Sequence, residues 1–181
     1  MINYNPLCLF CCFVLPILLF VYPTTASPRN NVTPLVDQVC AKTSNYSLCV
    51  ETLYSDPHTP EADIFGLTTI AFRLAHTNAT DTRDYLHALL VKYPTWDLQK
   101  CARDYEKAVF EFERAFKDLK SRSYSFLPGY VRVASHGADD CQHASKAIPG
   151  HDVLLADVNN ALKGLCEICL VISIRLTTTG S

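Results

Sequence analysis

The side chains best suited to chemistry lie near the C-terminus, where Cys166-Glu-Ile-Cys169 has the CxxC spacing of redox and zinc sites. The pair lies among Leu165, Ile168 and Leu170 and lacks the Gly or Pro of a typical redox motif. Beyond the first 26 residues, no second CxxC and no HxxxH supplies further zinc ligands. We therefore expect no metal and no cofactor, a core position for Cys169, and a semi-buried free thiol at Cys166. A disulfide between the two would strain a helix.

A histidine and two groups of carboxylates are the other candidates for catalysis. His143 follows Cys141 closely, but a cysteine held in a disulfide cannot act as a nucleophile. Asp139-Asp140 and the pair Asp81 and Asp84 supply the carboxylates that glycosidases use. We expect them at helix ends or on solvated faces, where capping and the helix dipole explain them. The sequence therefore predicts a protein that is not an enzyme.

Composition narrows the function classes further. The 181 residues carry a formal net charge of −2, so no basic excess favours nucleic acid or an anionic membrane surface. Only 6 glycines are present, and the sequence contains no GxxxxGK[ST], HExxH or GxSxG motif. A binding protein is favoured over a nucleotide-dependent enzyme or a hydrolase.

The first 26 residues have the pattern of a secretory signal peptide. They contain no Asp, Glu, Lys or Arg, are apolar from Leu7 to Tyr22, and end in the small residues before Ser27. A retained membrane anchor is the alternative. The apolar run is shorter than the roughly 20 residues needed to cross a bilayer and contains Pro16. We expect cleavage between Ala26 and Ser27, secretion, and no membrane association after cleavage.

Secretion would expose this chain to the enzymes and oxidising conditions that form disulfides and add glycans. Three Asn-x-Ser/Thr sequons begin at Asn31, Asn45 and Asn78. Six cysteines follow the signal segment, and the sequence alone does not choose among their pairings: Cys40, Cys49, Cys101, Cys141, Cys166 and Cys169.

Apolar residues recur at helical spacing along most of the chain. The cysteines, carboxylates and sequons named above must therefore be positioned mainly by helices. We expect a signal peptide at 1–26, a flexible lead-in at 27–34, an N-terminal helical hairpin at 35–58 with Asn45 as a helix cap, and a tail at 178–181. Residues 60–177 form the main body. Within it, 61–93 is one helix or two, and we prefer one.

Two heptad-like seams define the rest of the body. One contains Leu98, Cys101, Tyr105, Ala108, Phe112, Ala115 and Leu119, and the last runs from Leu154 to Leu176. The opposite side of the first carries a face we expect to be solvated: Arg103, Lys107, Glu111, Arg114 and Lys117. Residues 126–145 keep a looser helical pattern. Four such segments with short joints predict an all-α fold, an antiparallel up-and-down four-helix bundle.

Several stretches carry a family resemblance. They are Cys40 to Cys49, Leu53-Tyr-Ser-Asp-Pro57, Ala62 to Leu67, Leu98-Gln-Lys-Cys101-Ala-Arg-Asp-Tyr105, Asp140-Cys141 and Leu165-Cys166-Glu-Ile168. With them the chain resembles the plant pectin methylesterase inhibitor and invertase inhibitor family over about residues 35–176.

The resemblance implies disulfides Cys40–Cys49 and Cys101–Cys141 in a bundle that carries an N-terminal hairpin. It also implies a secreted inhibitor, located in the cell wall or the vacuole, that plugs the substrate cleft of pectin methylesterase or acid invertase. Such occlusion needs a rigid surface and no reactive group. We expect a monomer that binds its target 1:1.

The residues expected to determine which enzyme is inhibited differ from those of both the invertase-blocking and the esterase-blocking members. Invertase-blocking members resemble one another in a Pro-Lys-Phe tripeptide, whereas this chain reads Leu127-Pro-Gly-Tyr-Val131. Esterase-blocking members tend to carry acidic residues on the facing helices. The residues we expect to bind the partner here are Arg103, Lys107, Phe110, Tyr130, Asp140 and His143. The sequence of residues 123–141 is more similar to the esterase-blocking members, which favours pectin methylesterase as the target. A secreted bundle that carries a small apolar ligand or serves structurally is the alternative outside this class.

Overall fold

The computed structural model describes residues 32–145 and 152–179. The described part contains six α-helices, two short 3₁₀ helices at Thr59–Glu61 and Tyr124–Phe126, and no strand, which confirms the predicted all-α class. The helices are α1 (Pro34–Cys40), α2 (Tyr46–Tyr54), α3 (Ile64–Lys92), α4 (Trp96–Lys120), α5 (Leu127–Ser145) and α6 (Asp152–Thr179). The predicted signal peptide, its cleavage site, Asn31 and most of the lead-in lie outside the described residues.

Side-chain caps explain where the first four helices begin. Thr33, Asn45, Asp63 and Thr95 each adopt an extended backbone and accept a hydrogen bond from the N–H three residues on. Two predicted boundaries differ from those in the structure. Residues 33 and 34, placed in the lead-in, are the cap and the first residue of α1. At the other end, α6 continues to Thr179, into the predicted tail.

Helices α3 to α6 form the predicted antiparallel bundle. The turn between α3 and α4 spans three residues, which makes the two helices antiparallel neighbours. A disulfide joins Cys101, early in α4, to Cys141, late in α5. Asp139 of α5 pairs with Lys163 of α6 at 2.7 Å. Each connection therefore joins helices that run in opposite directions.

The predicted seams fill the bundle core. All seven residues of the α4 seam, Leu98 to Leu119, are buried. Phe72 of α3 meets Phe112 of α4 edge to face, with 6.1 Å between ring centroids. The start of the last seam is wrong by one position, because Leu155 is buried and Leu154 is exposed. A core filled in this way gives no support to the alternative of an apolar-ligand carrier.

Two elements left open by the pattern are settled by the structure. Residues Ile64–Lys92 form one continuous helix, as preferred. Residues Leu127–Ser145 form a helix despite Gly129 and Gly137. A Cβ at Gly137 would lie 3.0 Å from the backbone oxygen of Asp104, so this glycine lets α5 approach α4 closely.

The N-terminal hairpin is closed on itself and tied to the bundle. Cys40 and Cys49 form a disulfide, and the Thr33 N–H donates to the Tyr54 hydroxyl at 2.8 Å. Asp56 is buried and pairs with Arg73 of α3. Both disulfides are those that the family resemblance implied. None of the helices in 32–145 and 152–179 has the length and hydropathy needed to cross a membrane.

Candidate functional site

Helix α4 presents one exposed stripe beside α5. Arg103, Lys107, Phe110 and Arg114 follow one another at spacings of 4, 3 and 4, so they share a side of the helix. All four are exposed, and Phe110 keeps 53% of its surface in solvent. We call this stripe, together with Tyr130 and Asp140 of α5, the α4–α5 face. It includes five of the six residues expected to bind a partner. The sixth, His143, is exposed one helical turn after Asp139, which pairs with Lys163 of α6.

Arg114 organises the middle of the α4–α5 face. Its guanidinium carbon lies 4.4 Å from the ring centroid of Tyr130 and 5.9 Å from that of Phe110. One guanidinium nitrogen also lies 3.0 Å from a carboxylate oxygen of Glu111. A cation held over two rings and against a carboxylate restricts all three neighbours. Phe110 is therefore an exposed aromatic side chain with a fixed companion.

One expectation about this region is wrong, and burial limits a second. Glu111, placed on the solvated side of α4, is buried, because its carboxylate turns toward Arg114 at the α4–α5 seam. Tyr130, expected to contact a partner directly, is only 9% exposed. Its hydroxyl donates to Asp118 at 2.9 Å, and burial together with that hydrogen bond raises the pKa of the phenol. Tyr130 therefore stacks against the Arg114 guanidinium, and its contact with a partner stays a prediction.

The other end of the α4–α5 face is a charged bridge. Lys100 Nζ lies 2.9 Å from Asp104 and 3.4 Å from Asp140, joining α4 to α5 next to the Cys101–Cys141 disulfide. Burial opposes the charge of this lysine, but Asp104 and Asp140 outweigh it and raise the pKa of Lys100. His143 is exposed, with its Nδ1 2.8 Å from the carbonyl oxygen of Asp139. This end is rigid and polar.

The CxxC pair is built into the core. Cys166 and Cys169 are free thiols and both are buried, so the expectation of a semi-buried Cys166 is wrong. Burial, with a smaller contribution from Asp139, raises the pKa of Cys166 to about 12. Burial also raises the pKa of Cys169. A protonated, enclosed thiol is a poor nucleophile and a poor metal ligand. In the described residues, no group of three or more His, Cys, Asp or Glu side chains could hold a metal.

Sequence reasoning missed the part played by Arg114, which it assigned to an ordinary solvated face. The signal was present, because position 114 lies four residues after Phe110 and three after Glu111. The approach of Tyr130 from another helix could not be read in that spacing. The site is thus a preorganised surface of aromatic and charged side chains.

Comparison with known proteins agrees with a site of this kind. Residues 34–172 match the family described as plant invertase/pectin methylesterase inhibitor. A pectinesterase inhibitor of Actinidia deliciosa is 29% identical over 165 residues, which cover 88% of this chain and 89% of the relative. The cell wall / vacuolar inhibitor of fructosidase 2 of Arabidopsis thaliana is 29% identical over 161 residues, covering 86% and 89%.

Two further matches are informative. Pectinesterase inhibitor 1 of Arabidopsis thaliana is 30% identical over 139 residues, covering 75% of this chain and 78% of the relative. The crystal structure of a mutant form of a pectin methylesterase inhibitor from Arabidopsis superposes with a TM-score of 0.70 at 25% identity. That match covers 78% of this chain and 97% of the other.

Proposed function

This chain belongs to the plant invertase/pectin methylesterase inhibitor family, and we propose that it inhibits a pectin methylesterase by covering the substrate cleft with its α4–α5 face. The family fixes the class, an enzyme inhibitor and not an enzyme. The observation that carries the docking proposal is Phe110, exposed on the bundle surface and held beside Arg114 and Tyr130.

The physics of inhibition favours such a surface. Association costs the partners their freedom of motion, and each side chain that must be ordered adds to that cost. The α4–α5 face is already ordered by a disulfide, a cation–π stack and the Lys100 bridge. Exposed aromatic and arginine side chains dominate the binding energy of most interfaces. Phe110 is therefore the proposed anchor, positioned by Arg114, with Arg103 and Lys107 as charged neighbours.

The choice of esterase over invertase rests on the similar proteins. Two of the curated relatives described above and the solved structure are named as inhibitors of pectinesterase or pectin methylesterase. One relative of equal identity is named as an inhibitor of fructosidase, which keeps acid invertase as the second candidate. The segment Leu127 to Val131 lacks the Pro-Lys-Phe tripeptide that invertase-blocking members share, and this supports the esterase.

A side-by-side assay tests the target. Protein beginning at Ser27 is mixed with plant pectin methylesterase at mildly acidic pH and released methanol is measured. A parallel reaction measures glucose released from sucrose by acid invertase. We expect methanol release to stop near an equimolar ratio while glucose release continues. Unchanged methanol release at several-fold molar excess would refute esterase inhibition, and loss of glucose release would select the second candidate.

We also propose that the protein is secreted to the cell wall as a monomer and binds its target 1:1. One relative is named as a cell wall / vacuolar inhibitor, so the vacuole is the alternative location. Light scattering coupled to size-exclusion chromatography measures the mass of the free protein and of the complex. A free mass of twice the chain would contradict the monomer.

A further inference from the structure

Two of the three sequons lie within the described residues, and their surroundings differ. Asn45 lies in the turn between α1 and α2, whereas Asn78 lies in the middle of the 29-residue helix α3. An N-linked glycan needs an asparagine whose amide nitrogen faces open solvent in the folded protein, because the glycan is large and hydrated. The two positions can therefore be compared directly.

Asn45 meets that requirement. Asn45 and Ser47 are both exposed. The Oδ1 of Asn45 accepts the N–H of Leu48 at 3.0 Å and caps α2, so the cap uses the amide oxygen and not the nitrogen that would carry a sugar. A glycan at this position leaves the cap intact. The turn itself is fixed, because the Cys40–Cys49 disulfide closes it.

Asn78 is less accessible than Asn45, because it is half-buried. Its Oδ1 is buried without a hydrogen-bond partner, and the hydroxyl of Thr80, the third residue of the sequon, is buried in the same way. Asn78 lines a groove together with Leu48 of α2 and Ala161 and Leu165 of α6. Asn78 and the hydroxyl that completes its sequon are therefore both less accessible than Asn45 and Ser47.

Asn45 also lies at the edge of a second groove that can receive sugar. This groove has a volume of about 500 Å³ and runs between the start of α2, α5 and α6. Its lining combines the apolar side chains of Leu48 and Leu170 with polar ones that donate or accept hydrogen bonds: Arg132, His136, Lys163 and Glu167. The size falls in the range of small-ligand sites, and the mixture of polar and apolar groups suits a sugar ring.

We propose that Asn45 carries an N-linked glycan whose first sugars lie in this groove, and that Asn78 is unmodified. The inference rests on the secretion proposed above. The amide nitrogen of Asn45 attacks the anomeric carbon of an N-acetylglucosamine unit on a lipid pyrophosphate donor. A C–N bond forms, the sugar–pyrophosphate C–O bond breaks, the nitrogen loses a proton, and the lipid pyrophosphate leaves.

The position has a consequence for docking. A glycan in the groove covers the side of α5 that faces α6, where Arg132 and His136 lie. Phe110 and Arg114 do not line this groove. The glycan therefore leaves the α4–α5 face open to the target enzyme.

Glycopeptide mass spectrometry on the full chain secreted by plant cells tests the assignment. Three chains are compared: wild type, Ser47→Ala, which removes the sequon but keeps the Asn45 cap, and Asn78→Gln. We expect a glycan on the Asn45 peptide in wild type and Asn78→Gln and none in Ser47→Ala. An unmodified Asn45 in secreted protein, or a glycan on Asn78, would overturn the assignment.

A second chain distinguishes a failure of secretion from a failure of glycosylation at Asn45. In this chain an established signal peptide precedes Ser27. If wild type stays in the cytosol while this chain emerges with glycosylated Asn45, the secretion proposal fails and the site stands.

Contact of the glycan with the groove is tested by melting temperature. We expect Ser47→Ala to melt about 2–4 °C below glycosylated wild type, as loss of about 1 kcal/mol predicts. Equal melting temperatures would overturn the groove contact.

Discussion

At the scale of single residues, the α4–α5 face depends on one arginine that serves two rings. The Arg114 guanidinium lies over the Tyr130 ring and beside Phe110, and it forms an ion pair with the carboxylate of Glu111. A flexible aromatic side chain would lose rotamer freedom when bound, whereas Phe110 has already lost part of it. The affinity of the inhibitor should therefore be concentrated at this point.

Truncation of Phe110 tests that expectation. We expect Phe110→Ala to raise the inhibition constant for pectin methylesterase about 30-fold, the effect of losing a hot-spot residue worth about 2 kcal/mol. The matched control is Phe65→Ala, which removes an aromatic side chain of comparable exposure from α3. Methanol-release titrations measure both. Equal inhibition by the two variants would exclude Phe110 as the anchor.

The role of Arg114 is a separate question, because it can act through Phe110 or touch the enzyme itself. If it positions Phe110, the double variant Phe110→Ala/Arg114→Ala should inhibit about as well as Phe110→Ala alone. Circular dichroism melts would show whether each variant is folded. Fully additive losses in the inhibition constant would contradict positioning and indicate direct contact.

The buried thiol of Cys166 makes a prediction about pH. Its folded pKa is raised from 9.0 to about 12, so below about pH 9 the folded and unfolded chains both hold the proton. Between about pH 9 and about pH 12, the Cys166 thiol loses its proton in the unfolded chain but keeps it in the native chain. The free energy of unfolding therefore falls as the pH rises. Urea unfolding at about pH 8 and about pH 10 should show a smaller decrease for Cys166→Ala than for wild type. Equal decreases would contradict the burial of this thiol.

At the scale of elements, the approach of α4 to α5 depends on a missing Cβ. Gly137→Ala would place a methyl group 3.0 Å from the backbone oxygen of Asp104, and backbone cannot rotate away. We expect it to lower the free energy of unfolding by about 1–3 kcal/mol. Gly129 lies in the same helix with nothing within 4 Å of an added Cβ, so Gly129→Ala should raise it by about 0.5–1 kcal/mol. Denaturant titrations measure both, and the same sign for the two would contradict the packing described.

Periodicity predicted the elements well because it records burial. Every residue of the α4 seam is buried as expected, and α3 is one helix. The predictions failed where another helix decides the outcome. Glu111 has the spacing of a solvated position, yet Arg114 and the approach of α5 enclose it. Leu154 and Leu155 are equally apolar neighbours, so only the rotation of α6 in the bundle chooses between them.

At the scale of the whole molecule, the two disulfides stabilise different parts. Cys40–Cys49 closes a loop of 9 residues within the hairpin, and Cys101–Cys141 closes one of 40 residues across the bundle. Loop-closure entropy gives the second the larger effect, about 4 kcal/mol against about 2.5 kcal/mol. The second also holds the two helices of the α4–α5 face. Stability and inhibition should therefore respond differently to the two bonds.

Paired Cys-to-Ser variants separate these effects. We expect Cys101→Ser/Cys141→Ser to lose about 4 kcal/mol of unfolding free energy, and to inhibit more weakly because the α4–α5 face is no longer preorganised. Cys40→Ser/Cys49→Ser should lose less stability and keep its inhibition constant within about twofold, because the hairpin contributes no residue to the α4–α5 face. Urea titration and methanol release measure the two quantities on the same preparations. If loss of the hairpin disulfide abolishes inhibition while the bundle stays folded, the enzyme docks on the hairpin and the α4–α5 face is not the binding site.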